Sequence, residues 1–184
     1  MVPKVVFVLG GPGAAGDLLR AERSNPNSEY RDLIENYIRE GKIVPVDITC
    51  GLLEHAMEEE ASNDKFLIDG FPRNDDNLEG WSRRVADKVH LLFVLYFNCP
   101  AEICTARCLM RGATGSGRSD DNLDSLRKRF NTYIKETQPI VDYYRSLDLL
   151  REVNASQPIK SVFADVKGIF KEIEAQGDIK FHTC

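Results

Sequence analysis

An apolar run without polar interruption, Val5 to Leu9, leads straight into Gly10-Gly11-Pro12-Gly13. A β-branched run that is apolar at odd and even positions alike makes a strand buried on both faces, and such strands belong to parallel sheets covered by helices. The glycines mark a tight turn at its end. Phe66-Leu67-Ile68 and Leu91-Leu92-Phe93-Val94-Leu95-Tyr96-Phe97 repeat this character, with Glu152-Val153-Asn154 a weaker fourth strand.

The stretches between these strands read as helices. Ser28 is placed to cap a helix with Leu33, Ile34, Tyr37 and Ile38 on one face and Gly41 as its stop. The next follows Pro45, with Ile48, Leu52, Leu53 and Ala56 turned inward and Glu58-Glu59-Glu60 left to solvent. Further helices span about Ala101 to Arg111 and about Ile159 to Ile173. Between them Leu123, Leu126, Phe130 and Tyr133 mark a long helix that Pro139 should kink or break. Strands alternating with helices predict one doubly wound α/β domain over residues 1–184.

Composition narrows the function classes. A chain of 184 residues can bury a core without a disulfide or metal staple. Its 29 acidic against 24 basic residues, a net charge of -5, argue against nucleic-acid binding through a basic surface. No apolar run is long enough to span a bilayer, and Val5 to Leu9 is too short for a secretory signal, so a cytosolic, reducing location is expected. The cysteines, Cys50, Cys99, Cys104, Cys108 and Cys184, form no CxxC pair and read as reduced thiols. Cys104 and Cys108 would share a helix face, where two small packing residues are favoured over a metal pair. Asn154-Ala155-Ser156 matches a glycosylation acceptor but reads as chance without a secretory signal.

An open parallel sheet binds ligands at the carboxyl ends of its strands. Gly10-Gly11-Pro12-Gly13 stands at one such end and suits either a phosphate cradle or a plain glycine turn. The full triphosphate loop, G-x-x-x-x-G-K-[ST], is not satisfied. Counted from Gly11, Asp17 and Leu18 occupy the lysine and hydroxyl positions; counted from Gly10, Gly16 stands where the lysine should be. Asp17 would repel a triphosphate. Asp69, ending the second strand, can hold a magnesium-bound water beside phosphates. Arg73, Arg111, Arg118 and Arg129 lie near glycines or just beyond them, where guanidinium forks suit either phosphate oxygens or ordinary surface ion pairs.

Taken together, Gly10-Gly11-Pro12-Gly13-Ala14, Ala15-Gly16-Asp17-Leu18-Leu19-Arg20, Glu40-Gly41-Lys42-Ile43-Val44-Pro45-Val46, Asp69-Gly70-Phe71-Pro72-Arg73-Asn74, Asp76-Asn77 and Gly117-Arg118-Ser119-Asp120-Asp121-Asn122 resemble the nucleoside monophosphate kinases of the adenylate-kinase-like superfamily, in their pyrimidine branch. The resemblance covers residues 4 to about 173. It implies a P-loop nucleotide-kinase-like parallel sheet and transfer of the ATP γ-phosphoryl group to CMP, UMP or dCMP with Mg²⁺. Arg20 and Arg73 would clamp the monophosphate. Lys42, Ile43, Val44, Gly70, Phe71 and Pro72 would line its pocket, and Asn77 would read the pyrimidine edge. Gly10, Gly11, Pro12, Gly13 and Ala14 would face ATP, with Arg111 against its base. Arg118, Arg129 and Asp69 would serve the transferring phosphoryl, Asp69 reaching the metal only through water.

The resemblance also implies the subdivision: about 20–45 for the monophosphate, about 111–122 as a lid, and 177–184 as an extra tail. Family members are expected in the cytosol and nucleus as monomers without nucleic-acid or membrane partners. One departure stands out. In the family the glycine turn continues through Gly-Lys-Gly-Thr into a helix and a second strand, and about nineteen such residues have no counterpart where Ala14 meets Ala15. The second strand is an edge in the family order 2-3-1-4-5, so four adjacent strands should remain, with an apolar patch uncovered that favours association. Without the lysine and hydroxyl, turnover should fall below about a thousandth of the family rate, and a chain that only binds a pyrimidine monophosphate is the alternative.

Overall fold

The computed structural model describes residues 2–12, 17–115, 118 and 120–175. Its strands are β1 (Lys4–Gly10), β2 (Lys65–Asp69), β3 (His90–Asn98) and β4 (Leu150–Asn154), joined into one parallel sheet in the order β2-β1-β3-β4. The helices are α1 (Asp17–Ser24), α2 (Arg31–Glu40), α3 (Val46–Glu59), α4 (Asp75–Arg84), α5 (Ala101–Ala113), α6 (Leu123–Thr132), α7 (Gln138–Ser146) and α8 (Ile159–Ala175). The expected parallel α/β architecture with adjacent strands is therefore present among the described residues.

The sheet is covered unequally. On one face Val5, Phe7, Leu9, Ile68, Val94 and Tyr96 pack with buried residues of α3, α4 and α7. Phe7 makes edge contacts there with Trp81 at 5.0 Å and Phe71 at 5.8 Å between ring centroids. Such ring pairs add to the burial itself. The other face, Val6, Phe93, Leu95 and Val153, is covered by the half-buried apolar stripe Val162, Val166, Ile169, Phe170 and Ile173 of α8. No described residue of α8 is fully buried.

Several local expectations need correction. Ser28 does not cap α2: the N-cap is Tyr30, without a side-chain cap bond, and the Ser28 Oγ instead accepts the Tyr30 N–H within the preceding turn. Ser28 lies too far upstream to reach the first helical turn. Gly41 does stop α2, in the left-handed conformation at φ 65°. In α3 the buried stripe is Val46, Cys50 and Leu53, with Ile48, Leu52 and Ala56 only half-buried. Leu33 and Leu123 are exposed. Pro139 neither ends nor interrupts the helical path. Proline has no N–H to give and its ring crowds the carbonyl four residues back, and the chain accommodates it with a π turn over Tyr133–Thr137 between α6 and α7.

Candidate active site

A cavity of about 340 Å³ opens at the carboxyl ends of β1 and β2. One wall comes from the glycine turn after β1, through Gly10, Gly11 and Pro12, and a second from Asp69, Gly70, Phe71 and Arg73 after β2. The segment Lys42-Ile43-Val44 before α3 forms the third, and Arg20 of α1 and Arg129 of α6 also line it. Gly13 and Ala14 lie outside the described residues. Of the other expected site residues, Pro72 is buried beside the cavity, and neither Arg111 nor Arg118 lines it.

The cationic side of the cavity is crowded. Burial, with added like charge from Arg129 and Arg20, pushes the Arg73 guanidinium down to about 10, while Asp69 and Asp120 pull the other way. Arg73 stays protonated at neutral pH. Like charges held this close repel one another unless an anion lies among them. Main-chain and side-chain bonds keep Arg73 in place: its Nε donates to Gly70 O at 2.6 Å, and its own carbonyl accepts from Thr137 Oγ1 at 2.9 Å. Arg129 is fixed through Nη1 to Asp120 Oδ2 at 2.6 Å, with both side chains largely buried.

Asn77 is the most informative polar group. It is 2% exposed and lines the cavity, and its Oδ1 accepts the Arg73 N–H at 3.1 Å. Its Nδ2 is buried and makes no hydrogen bond among the described residues. A buried amide donor left unpaired costs free energy that a ligand acceptor can recover.

Helix packing sets these positions. Gly41 lets the end of α2 close on α6, where an added Cβ would lie 2.9 Å from Lys128 Cβ, and Thr132 Oγ1 donates to Gly41 O at 2.8 Å. Asn74 caps α4 by accepting the Asn77 N–H, and Asn122 caps α6 by accepting the Ser125 N–H. Both asparagines follow the arginine motifs, so each motif also starts a helix. Arg111 is held away from the cavity by two bonds to Asp121, Nε to Oδ2 at 2.8 Å and Nη2 to Oδ1 at 2.6 Å. The Asp121 carboxylate raises the Arg111 guanidinium above its ordinary value.

Sequence reasoning gave no role to Asp120, Asp121, Thr132 or Thr137. The partners of the two threonines are distant in the chain, and no local spacing signals them. The capping asparagines were detectable, since Asn before a polar first turn is a start signal. For Mg²⁺, Asp69 offers a hard, exposed oxygen donor on the cavity wall, which fits an ion that keeps most of its waters. Among the described residues no group of three acidic, histidine or cysteine side chains converges to hold a metal directly.

A parallel sheet with a glycine turn and convergent guanidiniums at its carboxyl ends is the layout of a nucleotide-binding α/β protein. The adenylate kinase family matches residues 12–149, and the chain belongs to that family. It is similar to proteins named UMP-CMP kinase: that of Rattus norvegicus is 50% identical, covering 92% of this chain and 98% of its own. That of Xenopus laevis is 51% identical over 92% of this chain and its whole length, and that of Homo sapiens 49%. These matches run over 193 residues against the 184 of the whole chain, so the relatives carry residues with no counterpart here.

Proposed function

We propose that this chain binds a pyrimidine nucleoside monophosphate, CMP, UMP or dCMP, and transfers to it the γ-phosphoryl group of ATP, slowly. The observation that carries the reading is the buried, unpaired Nδ2 of Asn77 on a cavity whose other side is cationic. A pyrimidine offers an acceptor oxygen to that donor while its phosphate lies among the guanidiniums. Arg20 and Arg73 hold the monophosphate, and Arg129, fixed by Asp120, meets charge developing on the transferring group. Arg118 and Arg111 serve the ATP side, as do Gly10, Gly11 and Pro12. Asp69 would hold Mg²⁺ through water; when bound, the ion neutralises phosphate charge.

Transfer is slow because no lysine or hydroxyl stands at the glycine turn. Phosphoryl transfer relies on positioning and charge stabilisation, where a single cation can contribute about 10³-fold or more. The second reading, binding without transfer, rests on the same gap. CDP and ADP formation from ATP, Mg²⁺ and CMP by the purified chain separates the two, with circular dichroism to show folding. Slow turnover supports transfer; a folded, silent sample that still binds CMP leaves binding alone. In calorimetry, Arg73→Ala is expected to weaken CMP binding by more than about 1.5 kcal/mol. An unchanged affinity removes the clamp role.

A further inference from the structure

Strand β2 forms one margin of the described sheet, bonded to β1 on one side only. Its ladder to β1 is bracketed by Lys4 N–H to Asp64 O and Gly70 N–H to Val8 O, both 2.8 Å. Only alternate residues of a parallel strand face a given neighbour, so Phe66 and Ile68 bond to β1 while the main-chain groups of Lys65 and Leu67 turn outward. Leu67 is in register with Val6, so its side chain points to the face that α8 covers, where it is 64% exposed. Beside it lies a second hollow of about 330 Å³, with Val6, Leu92 and Phe170 in its wall. Asn63, Asp64 and Lys4, at the amino ends of β1 and β2, border the same hollow, so α8 brings the chain to that end of the sheet.

The sequence after Ala175 is Gln176-Gly177-Asp178-Ile179-Lys180-Phe181-His182-Thr183-Cys184, outside the described residues. Ile179, Phe181 and Thr183, residue types that favour strands, alternate with Lys180 and His182 at the period of a strand with one apolar face. We propose that residues 179–183 lie along β2 as a further parallel strand, with Phe181 opposite Leu67 and closing the hollow. In that register the Leu67 N–H donates to Lys180 O, while the Lys180 and His182 N–H groups donate to Lys65 O and Leu67 O. Asp69 keeps its place on the cavity wall and is not needed for the pairing. The intervening residues 176–178 span roughly 10 Å, about two strand spacings, and Gly177 suits the left-handed turn that stops a helix. A shift by one residue would turn Lys180 and His182 into the apolar hollow, so the pattern selects the register. Chain direction agrees. Helices α4 and α7 connect strands across one face away from β2, and α8 returns across the other face toward it, so these crossovers share one hand. An open strand margin is a template for pairing between copies, and a strand from the same chain covers it. The proposal is independent of phosphoryl transfer.

Hydrogen exchange of the full chain, read at the Leu67 amide, tests it. That amide is expected to exchange slowly. Phe181→Asp, which sets a carboxylate against Leu67, is expected to speed it at least about tenfold while the Phe66 amide, bonded to β1, stays protected. Circular dichroism checks that the variant is folded. A second measurement stands even if it is not. Leu67→Cys combined with Phe181→Cys, treated with oxidised glutathione, is expected to link the two introduced thiols within one chain of about 20.8 kDa, as peptide masses can map. Leu67→Cys combined with Lys180→Cys, with side chains on opposite faces, is expected to stay unlinked. Fast exchange at Leu67 in the full chain, exchange indifferent to Phe181→Asp in a folded variant, or equal linkage in both cysteine pairs would overturn the proposal. So would linkage only between chains, because a second copy would then be the occupant of that margin.

Discussion

At the scale of single residues the site depends on side chains that hold other side chains. Thr137 illustrates this: its hydroxyl supports the Arg73 carbonyl across 64 positions of sequence. Thr137→Val is expected to cost about 1 kcal/mol of CMP affinity, with Thr137→Ser restoring it, as calorimetry can check. Asn77→Ala is expected to weaken CMP binding more than inorganic phosphate binding, since the base edge loses its donor while Arg73 loses only the acceptor of its main-chain N–H. The cysteines sort by burial. Burial pushes the Cys50 thiol up to about 11 and the Cys104 thiol up to about 12, and raises Cys108 as well. Alkylation near pH 8, mapped by mass, is expected to mark half-buried Cys99 before those three. Arg20, Arg73 and Asn77, which line the cavity, were legible because they sit in contiguous motifs. Asp120, which fixes Arg129, was not, because a contact across the start of α6 leaves no local pattern.

At the scale of elements, α3 and α4 pack so closely that Gly80 leaves no room for a methyl group: an added Cβ would lie 2.2 Å from Val46 Cγ2. Gly80→Ala is expected to destabilise the fold by about 1–3 kcal/mol in denaturant titration. The same pair is tied by Arg84 Nη2 to Glu54 Oε2 at 2.6 Å, and Lys88, just past α4, places Nζ 3.3 Å from Glu54 Oε1. Burial alone would raise the Glu54 carboxyl, but hydrogen bonds from Arg84 and Lys88 outweigh it and hold the group below its ordinary value. Its contribution is therefore present above the usual carboxylate range and lost as pH falls through the lowered value. Glu54→Gln is expected to flatten the acid side of the stability profile, measured by thermal unfolding against pH. Strands and the longer helices were legible from their apolar periods. Helices α1 and α4 were not, because DLLRAERS and DDNLEGWSRR are short and hold too few apolar residues to mark a stripe. The π turn escaped for a different reason: proline announces a disturbance but not whether the helix ends or widens.

At the scale of the whole molecule, mutually repelling guanidiniums weaken the empty cavity, and an anion among them stabilises the folded state. Raising CMP to about a hundred times its dissociation constant is expected to add about 2.7 kcal/mol to stability, seen as a concentration-dependent rise in unfolding temperature. No rise would mean that the cavity does not take the nucleotide. The sheet order came from the family resemblance rather than from the apolar pattern, which fixes strands but not their neighbours, and the glycine turn's route into α1 passes through residues 13–16, outside those described. The four described strands all point the same way, so the reversals between them take place outside the sheet. A segment that departs from one end of such a sheet and returns to the same end is a closed detour. Lineages can lengthen or shorten their chains by whole detours without rethreading the remaining strands, and a ligand pocket served by other loops can outlast the chemistry it once supplied.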